Sequence, residues 1–266
     1  MKRTPKTLWL VAAALYAFMY APIVVVALYS FNAARYGAGW KGFTLKWYGT
    51  LAHNSQALAA TKNTLVLAAV STAAATLLGT LLGYGLKRHW FPGKKVFSWL
   101  MCVPVVLPDI VMAVALLLFF QLVRTLVGVC ELGMTTMIIG HITFQIPFVA
   151  IVVRARLAGM DPAIEEAARD LGADPWQTFW SVTFPQALPG ILAGALLAFT
   201  LSLDDFVVSF FTNGPGATTL PILIYSSVKR GITPDINALS TLMVAASIIG
   251  TAGVAWLQRM RREKGG

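Results

Sequence analysis

Long runs of apolar residues constrain this fold more than any other feature of the sequence. The hydrocarbon core of a bilayer is about 30 Å thick, so a helix that crosses it needs about 20 mostly apolar residues. Six segments meet this requirement with at most two charged side chains each: residues 8–29, 63–86, 97–123, 134–153, 189–211 and 236–258. The sequence predicts an all-α integral membrane protein, with residues 1–266 forming one transmembrane domain of six helices.

The basic residues predict how the chain is oriented. The net charge is +10, which by itself would fit a nucleic-acid partner. However, 14 of the 21 lysine and arginine residues fall on one side of the bilayer when the N-terminus is placed in the cytoplasm. Cytoplasmic loops of membrane proteins carry this excess. We therefore expect no nucleic-acid partner and cytoplasmic N- and C-termini.

A polar stretch interrupts the apolar pattern within the 154–188 segment, and its residues are arranged as a helix, a turn and a second helix. Asp161 is a good N-cap, followed by Pro162 at the first helical position. Gly172 supplies the left-handed residue that ends a helix running to Leu171. Asp174 starts the second helix, with Gln177 completing a capping box. Pro185 and Pro189 are expected to separate this second helix from the fifth span.

The second helix of the 154–188 segment also carries large aromatic residues, Trp176, Phe179 and Trp180. Such side chains dominate interfaces when they enter a partner's pocket. Two interpretations follow from the residues alone. The segment is either a cytoplasmic docking surface or an amphipathic loop that packs only on its own chain.

The spacing of small and apolar residues in this segment resembles the EAA motif of ABC-importer permeases. The motif consists of EAA, three residues, Gly, nine residues, Ile, one residue and Leu-Pro. This chain has Glu166-Ala167-Ala168 and Gly172, then Val182, Phe184 and Pro185 at those spacings. Val for Ile and Phe for Leu depart from the motif but remain apolar. The resemblance implies that Glu166, Ala167, Ala168, Gly172, Asp174 and Trp176 couple the chain to an ATPase.

Further stretches narrow the resemblance to the second permease subunit of spermidine/putrescine importers. They are "YAPIVVVALYSFN", "LPDIVMAV", "HITFQIPFV", "FTLSLDDFVVSFF" and "GPGATTLP". The resemblance implies the type I importer fold in the bacterial inner membrane. It also implies a second homologous permease, two ATP-binding subunits, an extracytoplasmic solute-binding protein and a polyamine substrate.

No GxxxxGK[ST] phosphate loop occurs in the sequence, so we expect ATP and Mg²⁺ to be used by the partner ATPase and no cofactor to be bound by this chain. We expect no enzyme activity and no metal site in the chain itself. Relatives of similar architecture carry aminoethylphosphonate, ferric ion or thiamine, and these solutes remain alternatives to a polyamine. An ion-coupled secondary carrier is a further alternative, but it has no use for a capped cytoplasmic segment.

Three aspartates fall inside the apolar segments, and they are the candidate substrate residues. Asp109 and Asp204 lie 12 and 15 residues into the third and fifth spans, roughly 18 and 22 Å deep at a rise of about 1.5 Å per residue. An acid at such depth costs on the order of 2.5–3.5 kcal/mol on insertion scales, so it should face a partner or a water-filled path. Carboxylates would match the ammonium groups of a polyamine. The alternative is that Asp109, Asp204 and Asp205 are hydrogen-bonded links between helices.

Asp205 lies about 100° around a helix from Asp204, so we expect one of the two to face the pathway and the other to bind neighbouring helices. His141 is the only titratable side chain in the fourth span. We expect it to form an interhelical hydrogen bond rather than to relay protons.

Overall fold

The computed structural model describes residues 6–34, 39–230 and 234–263, and among them the side chains of residues 7–34, 39–229 and 234–249. Regular structure in these residues is helical, and no β-strand occurs there. The helices are α1 (Lys6–Tyr29), α2 (Lys46–Ala52), α3 (Ser55–Arg88), α4 (Lys94–Val106), α5 (Asp109–Val127), α6 (Met134–Ala158), α7 (Pro162–Asp170), α8 (Pro175–Thr178), α9 (Phe184–Asp204), α10 (Val207–Thr212), α11 (Leu220–Arg230) and α12 (Pro234–Glu263). A π-helical turn, Phe179–Thr183, joins α8 to α9. The predicted all-α class is confirmed.

Five helical stretches in the described part of the chain are long and apolar enough to cross a membrane. They are Thr7–Tyr29, Ser55–Arg88, Asp109–Val127, Met134–Ala158 and Pro175–Asp204. The sixth predicted span, 236–258, falls on α12. Its described apolar part, Pro234–Ile249, is shorter than a span, and the side chains that follow lie outside the described residues.

The third predicted span is not one continuous helix. α4 ends at Val106, Leu107 is extended with φ −66° and ψ 142°, and α5 begins at Asp109. Pro108 explains the break, because a proline disfavours the helical conformation in the residue before it. The predicted span 97–123 therefore consists of two helices, and Asp109 lies in the first turn of the second one rather than in the middle of a single helix.

The fifth predicted span also differs from the expectation. Helical structure runs from Pro175 through the π turn to Asp204, so Pro185 and Pro189 do not separate the second helix of the segment from the span. Pro185 lies in the first turn of α9, where a proline is tolerated, and the π turn before it changes the hydrogen-bond pattern. The helix then breaks at Asp205–Phe206 before α10.

The chain divides into two compact units. One unit comprises residues 1–58 and 223–266, in which α12 packs against α1 and α2. The loop after α1 is closed by hydrogen bonds, including one from the Trp47 indole Nε1 to the Asn32 carbonyl at 2.8 Å.

The other unit comprises residues 59–222, and α6 lies among its helices. α6 packs against α9 through Val149, Val153 and Ala198. Close approach depends on glycines: a Cβ added at Gly83 would lie 2.8 Å from the Ala150 carbonyl oxygen. One added at Gly190 would lie 2.5 Å from the Cβ of Arg156. Small residues at such contacts let membrane helices pack closely, where no hydrophobic force drives them together.

Candidate functional site

A cluster of polar side chains lies within the unit formed by residues 59–222. Its members come from four helices and from the break between two of them, and all but Asp205 are buried. We call it the polar cluster: Ser71, His141, Gln145, Ser202, Asp205 and Ser209.

His141 on α6 is at the centre of the polar cluster. Its Nδ1 lies 2.8 Å from Ser202 Oγ on α9, and its Nε2 lies 3.0 Å from Ser209 Oγ on α10. Asp205 Oδ2 is 3.3 Å from the same Nε2. The ring is fully buried, and both of its nitrogens have partners on other helices. The expected interhelical hydrogen bond of His141 is confirmed.

The polar cluster extends from His141 to α3. Ser202 Oγ lies 3.3 Å from Ser71 Oγ, and Gln145 donates from Nε2 to Ser71 Oγ at 3.3 Å. The Gln145 Oε1 atom is buried and has no hydrogen-bond partner among the described residues. These contacts tie α3, α6 and α9 together by polar groups inside an otherwise apolar unit.

Asp205 lies in the break between α9 and α10, and its carboxylate contacts backbone N–H groups of α10 and the His141 ring. Its carboxylate accepts from the backbone N–H of Ser209 at 2.8 Å and of Val208 at 3.3 Å, which caps the start of α10. Only 11% of its side chain is exposed. Asp205 is therefore the member of the adjacent pair that binds neighbouring helices.

Asp204 and Asp109 are exposed instead. Each lies four residues before a member of one apolar cluster that joins α5 to α10: Ala113 follows Asp109, and Val208 follows Asp204. Each carboxylate thus lies one helical turn before a residue of the same packed cluster in sequence. Each also lies beside a helix break.

The 154–188 segment has the predicted caps. Asp161 accepts from the Ala163 N–H at 3.0 Å. Asp174 accepts from the N–H groups of Trp176 and Gln177, both at 2.8 Å, and Gln177 Oε1 accepts from the Asp174 N–H at 3.1 Å. The predicted helix, turn and second helix are confirmed, with α7 ending at Asp170, one residue before the expected Leu171.

The turn of the segment is a Schellman motif. The Ala173 N–H donates to the Ala168 carbonyl at 3.0 Å, and the Gly172 N–H donates to the Arg169 carbonyl at 2.8 Å. Gly172 has φ +88°, which is in the left-handed region. The predicted role of Gly172 in the turn is confirmed.

The surface of the segment is largely open. Glu166 and Ala167 are exposed, Ala168 is half-buried, and α7 buries no residue. Trp176 is 68% exposed and Trp180 is 47% exposed, with their ring centroids 5.7 Å apart. Trp180 also packs against Phe184, with 4.9 Å between the ring centroids. The aromatic side chains thus form one exposed apolar surface outside the core of the unit.

Glu165, the neighbour of the motif glutamate, is a further residue of this site that the sequence does not mark. Its side chain is 15% exposed, and it accepts one hydrogen bond from Thr183 Oγ1 at 2.7 Å and another from Arg88 Nη1. Burial acts to raise the pKa of Glu165, but the Thr183 hydrogen bond and the Arg88 guanidinium outweigh it and hold that pKa below its usual value. The carboxylate is therefore charged at neutral pH. No sequence signal marked Glu165, because its partners lie 77 and 18 residues away in the chain.

Among the described residues, no group of three His, Cys, Asp or Glu side chains could hold a metal ion. Both cysteines, Cys102 and Cys130, are unpaired.

Comparison with known proteins gives a family match. The family described as "Binding-protein-dependent transport system inner membrane component" matches residues 75–262. The putrescine transport system permease protein PotI of Escherichia coli (strain K12) is 42% identical over 252 residues, which cover 94% of this chain and 89% of that protein. The spermidine/putrescine transport system permease protein PotC of the same strain is 43% identical over 236 residues, which cover 89% of this chain and 88% of that protein.

A solved structure has a similar fold. A bacterial ABC transporter involved in the import of the acidic polysaccharide alginate contains a chain that matches with a TM-score of 0.72. The match covers 97% of this chain and 96% of that one at 20% sequence identity. At this identity the likeness shows the fold alone.

Proposed function

The chain belongs to the binding-protein-dependent transport system inner membrane component family, and we propose that it forms half of the pathway of an ATP-driven polyamine importer. The resemblance to ABC-importer permeases is confirmed by the family match and by the identity to PotI and PotC. The chain is thus a multi-pass inner-membrane permease. The observation that carries the substrate class is identity above 40% to two permeases named for putrescine and spermidine, over about nine-tenths of the chain.

The exposed carboxylates support a cationic substrate. Asp109 and Asp204 are exposed, and they precede the same α5–α10 cluster. A carboxylate in a water-filled path attracts the ammonium groups of putrescine or spermidine, and its burial cost is relieved there. In this proposal Asp109 and Asp204 contact the substrate, and Asp205 fixes the helix break that presents Asp204.

The 154–188 segment supports coupling to a separate ATPase. Its caps hold its shape, while Trp176 and the surface around Glu166 and Ala167 stay open for a partner. We assign ATPase contact to Glu166, Ala167, Ala168, Gly172, Asp174 and Trp176. ATP and Mg²⁺ are used by the two ATP-binding subunits in this proposal. A second permease completes the pathway, and an extracytoplasmic binding protein delivers the solute.

Uptake by the reconstituted complex tests this proposal. The chain, its partner permease, the ATP-binding subunits and the binding protein are placed in proteoliposomes, and labelled putrescine and spermidine are followed. We expect accumulation that requires ATP and every subunit. Transport by the purified chain alone would reject the assembly. Uptake of a neutral or anionic solute in place of a polyamine would reject the substrate class.

Cysteine labelling tests the proposed orientation. Cys102 and Cys130 are first replaced by serine, and single cysteines are then placed at Ala173 or Glu131. Glu131 is a suitable control because its side chain is 84% exposed. An impermeant thiol reagent outside intact cells should label the Glu131 position and spare Ala173. Labelling of Ala173 from outside would overturn the arrangement.

A further inference from the structure

Glu165 links three parts of the unit formed by residues 59–222. It lies on α7, Arg88 is the last residue of α3, and Thr183 is the last residue of the π turn. One carboxylate oxygen, Oε2, takes the hydrogen bond from Arg88, and the other, Oε1, takes the one from Thr183. The carboxylate therefore bridges α3 and the start of α9 with both of its oxygens occupied.

Apolar packing holds α7 only weakly on the chain. α7 buries no residue, and its main packing among the described helices is against α8 and the π turn. Arg169 Nη2 also approaches Glu165 Oε2, at 3.8 Å, but it lies on α7 itself and ties the helix to nothing else through this contact. The Glu165 carboxylate is thus the charged link from α7 to α3, a transmembrane helix.

The end of α3 also contacts the π turn directly. The Tyr84 ring meets the Phe179 ring edge-on with centroids 5.3 Å apart. Thr183 is 3% exposed, so its hydroxyl needs a partner inside the protein, and Glu165 supplies one. A π turn inserted in a helix often marks a functional position. The Arg88–Glu165 ion pair, the Tyr84–Phe179 ring contact and the π turn thus lie together where the 154–188 segment meets the end of α3.

We propose that Arg88, Glu165 and Thr183 form a clamp that makes the 154–188 segment move as one body with α3 and α9. We assign them as positioning residues, because they act through the 154–188 segment and the helices that it contacts. The inference rests on the proposed function, since it assigns the clamp the task of passing ATPase motion into the membrane helices. Glu166, next in the chain, faces outward and is free for the ATPase, while Glu165 faces inward.

The test measures coupling in the reconstituted complex. Arg88→Gln and Glu165→Gln remove the charges, and Arg88→Lys keeps one. Lys87→Gln is the matched control, because Lys87 is adjacent, exposed and without a hydrogen bond or ion pair among the described residues. Polyamine uptake, binding-protein-stimulated ATP hydrolysis and co-purification of the ATP-binding subunits are measured for each variant.

We expect Arg88→Gln and Glu165→Gln to assemble but to lose uptake by roughly two- to thirty-fold, the range for residues that carry coupling between sites. We expect ATP hydrolysis to fall less than uptake, so that more ATP is consumed for each polyamine transported. Arg88→Lys should recover part of the loss, and Lys87→Gln should match the unaltered chain. Unaltered uptake and hydrolysis in both charge-removing variants would overturn the clamp.

A charge-reversed pair, Arg88→Glu with Glu165→Arg, covers the case in which a single variant fails to assemble. Recovery of assembly and uptake in the pair supports the clamp, and failure of the pair to improve on either single reversal overturns it. Absence of ATP-dependent polyamine uptake in the unaltered complex would instead defeat the proposed function.

Discussion

The 154–188 segment and the polar cluster around His141 are two polar regions of a mostly apolar chain, and the hydrogen bonds that shape them differ in range. The helices and the turn of the segment are shaped by hydrogen bonds between residues two to five positions apart, such as Asp174 with Gln177, and Glu165 adds longer-range bonds to Arg88 and Thr183. In the polar cluster, Ser71 and Ser202 are 131 residues apart, and His141 and Ser202 are 61 apart. Local bonds shape an exposed surface that is free to dock, whereas long-range bonds fix helices that must not separate.

This difference predicts how each region responds to substitution. Removing one polar-cluster member leaves a buried group unpaired, which is costly because water cannot replace the partner. Removing one cap of the segment exposes backbone groups that water can reach.

Asp205→Ala should be the most damaging. The substitution removes the acceptor for the backbone N–H groups of Ser209 and Val208, and each buried group left unpaired costs about 1–3 kcal/mol. Thermal unfolding of the purified chain in detergent measures the loss. Asp204→Ala is the matched control, because Asp204 is exposed. Equal melting temperatures for the two variants would contradict the structural role of Asp205.

Gly172→Val should distort the turn of the 154–188 segment. The left-handed conformation at φ +88° costs an L-residue roughly 1–2 kcal/mol. An added Cβ meets no atom within 4 Å, so the cost comes from the backbone and not from a clash. Amide hydrogen exchange across residues 167–178 and stimulated ATP hydrolysis measure the effect. Gly172→Asn should be milder, because Asn adopts this conformation more readily. Normal stimulated hydrolysis and uptake in Gly172→Val would argue against a coupling role for this turn.

Asp174→Ala should cost less than the glycine substitution. Loss of an N-cap acid destabilises a helix by about 1 kcal/mol, and the Asp174 carboxylate accepts two backbone hydrogen bonds. Asp161 accepts one, so Asp161→Ala should raise amide exchange in its own helix by a smaller factor. The reverse order of exchange rates would mean that the caps do not set the shape of the segment.

Asp109→Asn and Asp204→Asn should leave stability within about 0.5 kcal/mol, as for other exposed positions. Both variants keep the shape of the side chain and remove its charge, so polyamine uptake should fall while melting temperatures stay unchanged. This outcome would show that Asp109 and Asp204 act in transport, whereas Asp205 acts in stability. If both variants assemble and transport putrescine or spermidine at the unaltered rate, charge recognition by these residues is wrong.

The sequence predicted the segment better than the breaks in the membrane helices, for a physical reason. Capping is decided by residues a few positions apart, so Asp161, Gly172 and Asp174 could be assigned their local roles directly. The all-α class followed equally directly from apolar runs. The break at Asp205 depends on Ser209 and on His141, which lies 64 residues earlier, and the sequence alone does not bring those groups together.

Two further features of the structure were missed from the sequence because they depend on more than the local residue pattern. Pro108 is a signal for a bend, but the apolar pattern runs on through it and does not reveal the full break that places Asp109 in the first turn of α5. The motif spacing marks Glu166, which faces outward, and gives no sign of Glu165. Only the contacts with Arg88 and Thr183 reveal that the neighbouring acid faces inward.

Photo-cross-linking from Trp176 tests directly whether the 154–188 segment docks on an ATP-binding subunit. Trp176 is 68% exposed on the 154–188 segment, so a benzophenone amino acid in its place should not disturb the core of the unit. Illumination of the intact complex in membranes, followed by identification of the linked peptide, shows what this surface contacts. We predict a cross-link to an ATP-binding subunit. Cross-links to the extracytoplasmic binding protein, or to lipid alone in a complex that transports normally, would contradict it.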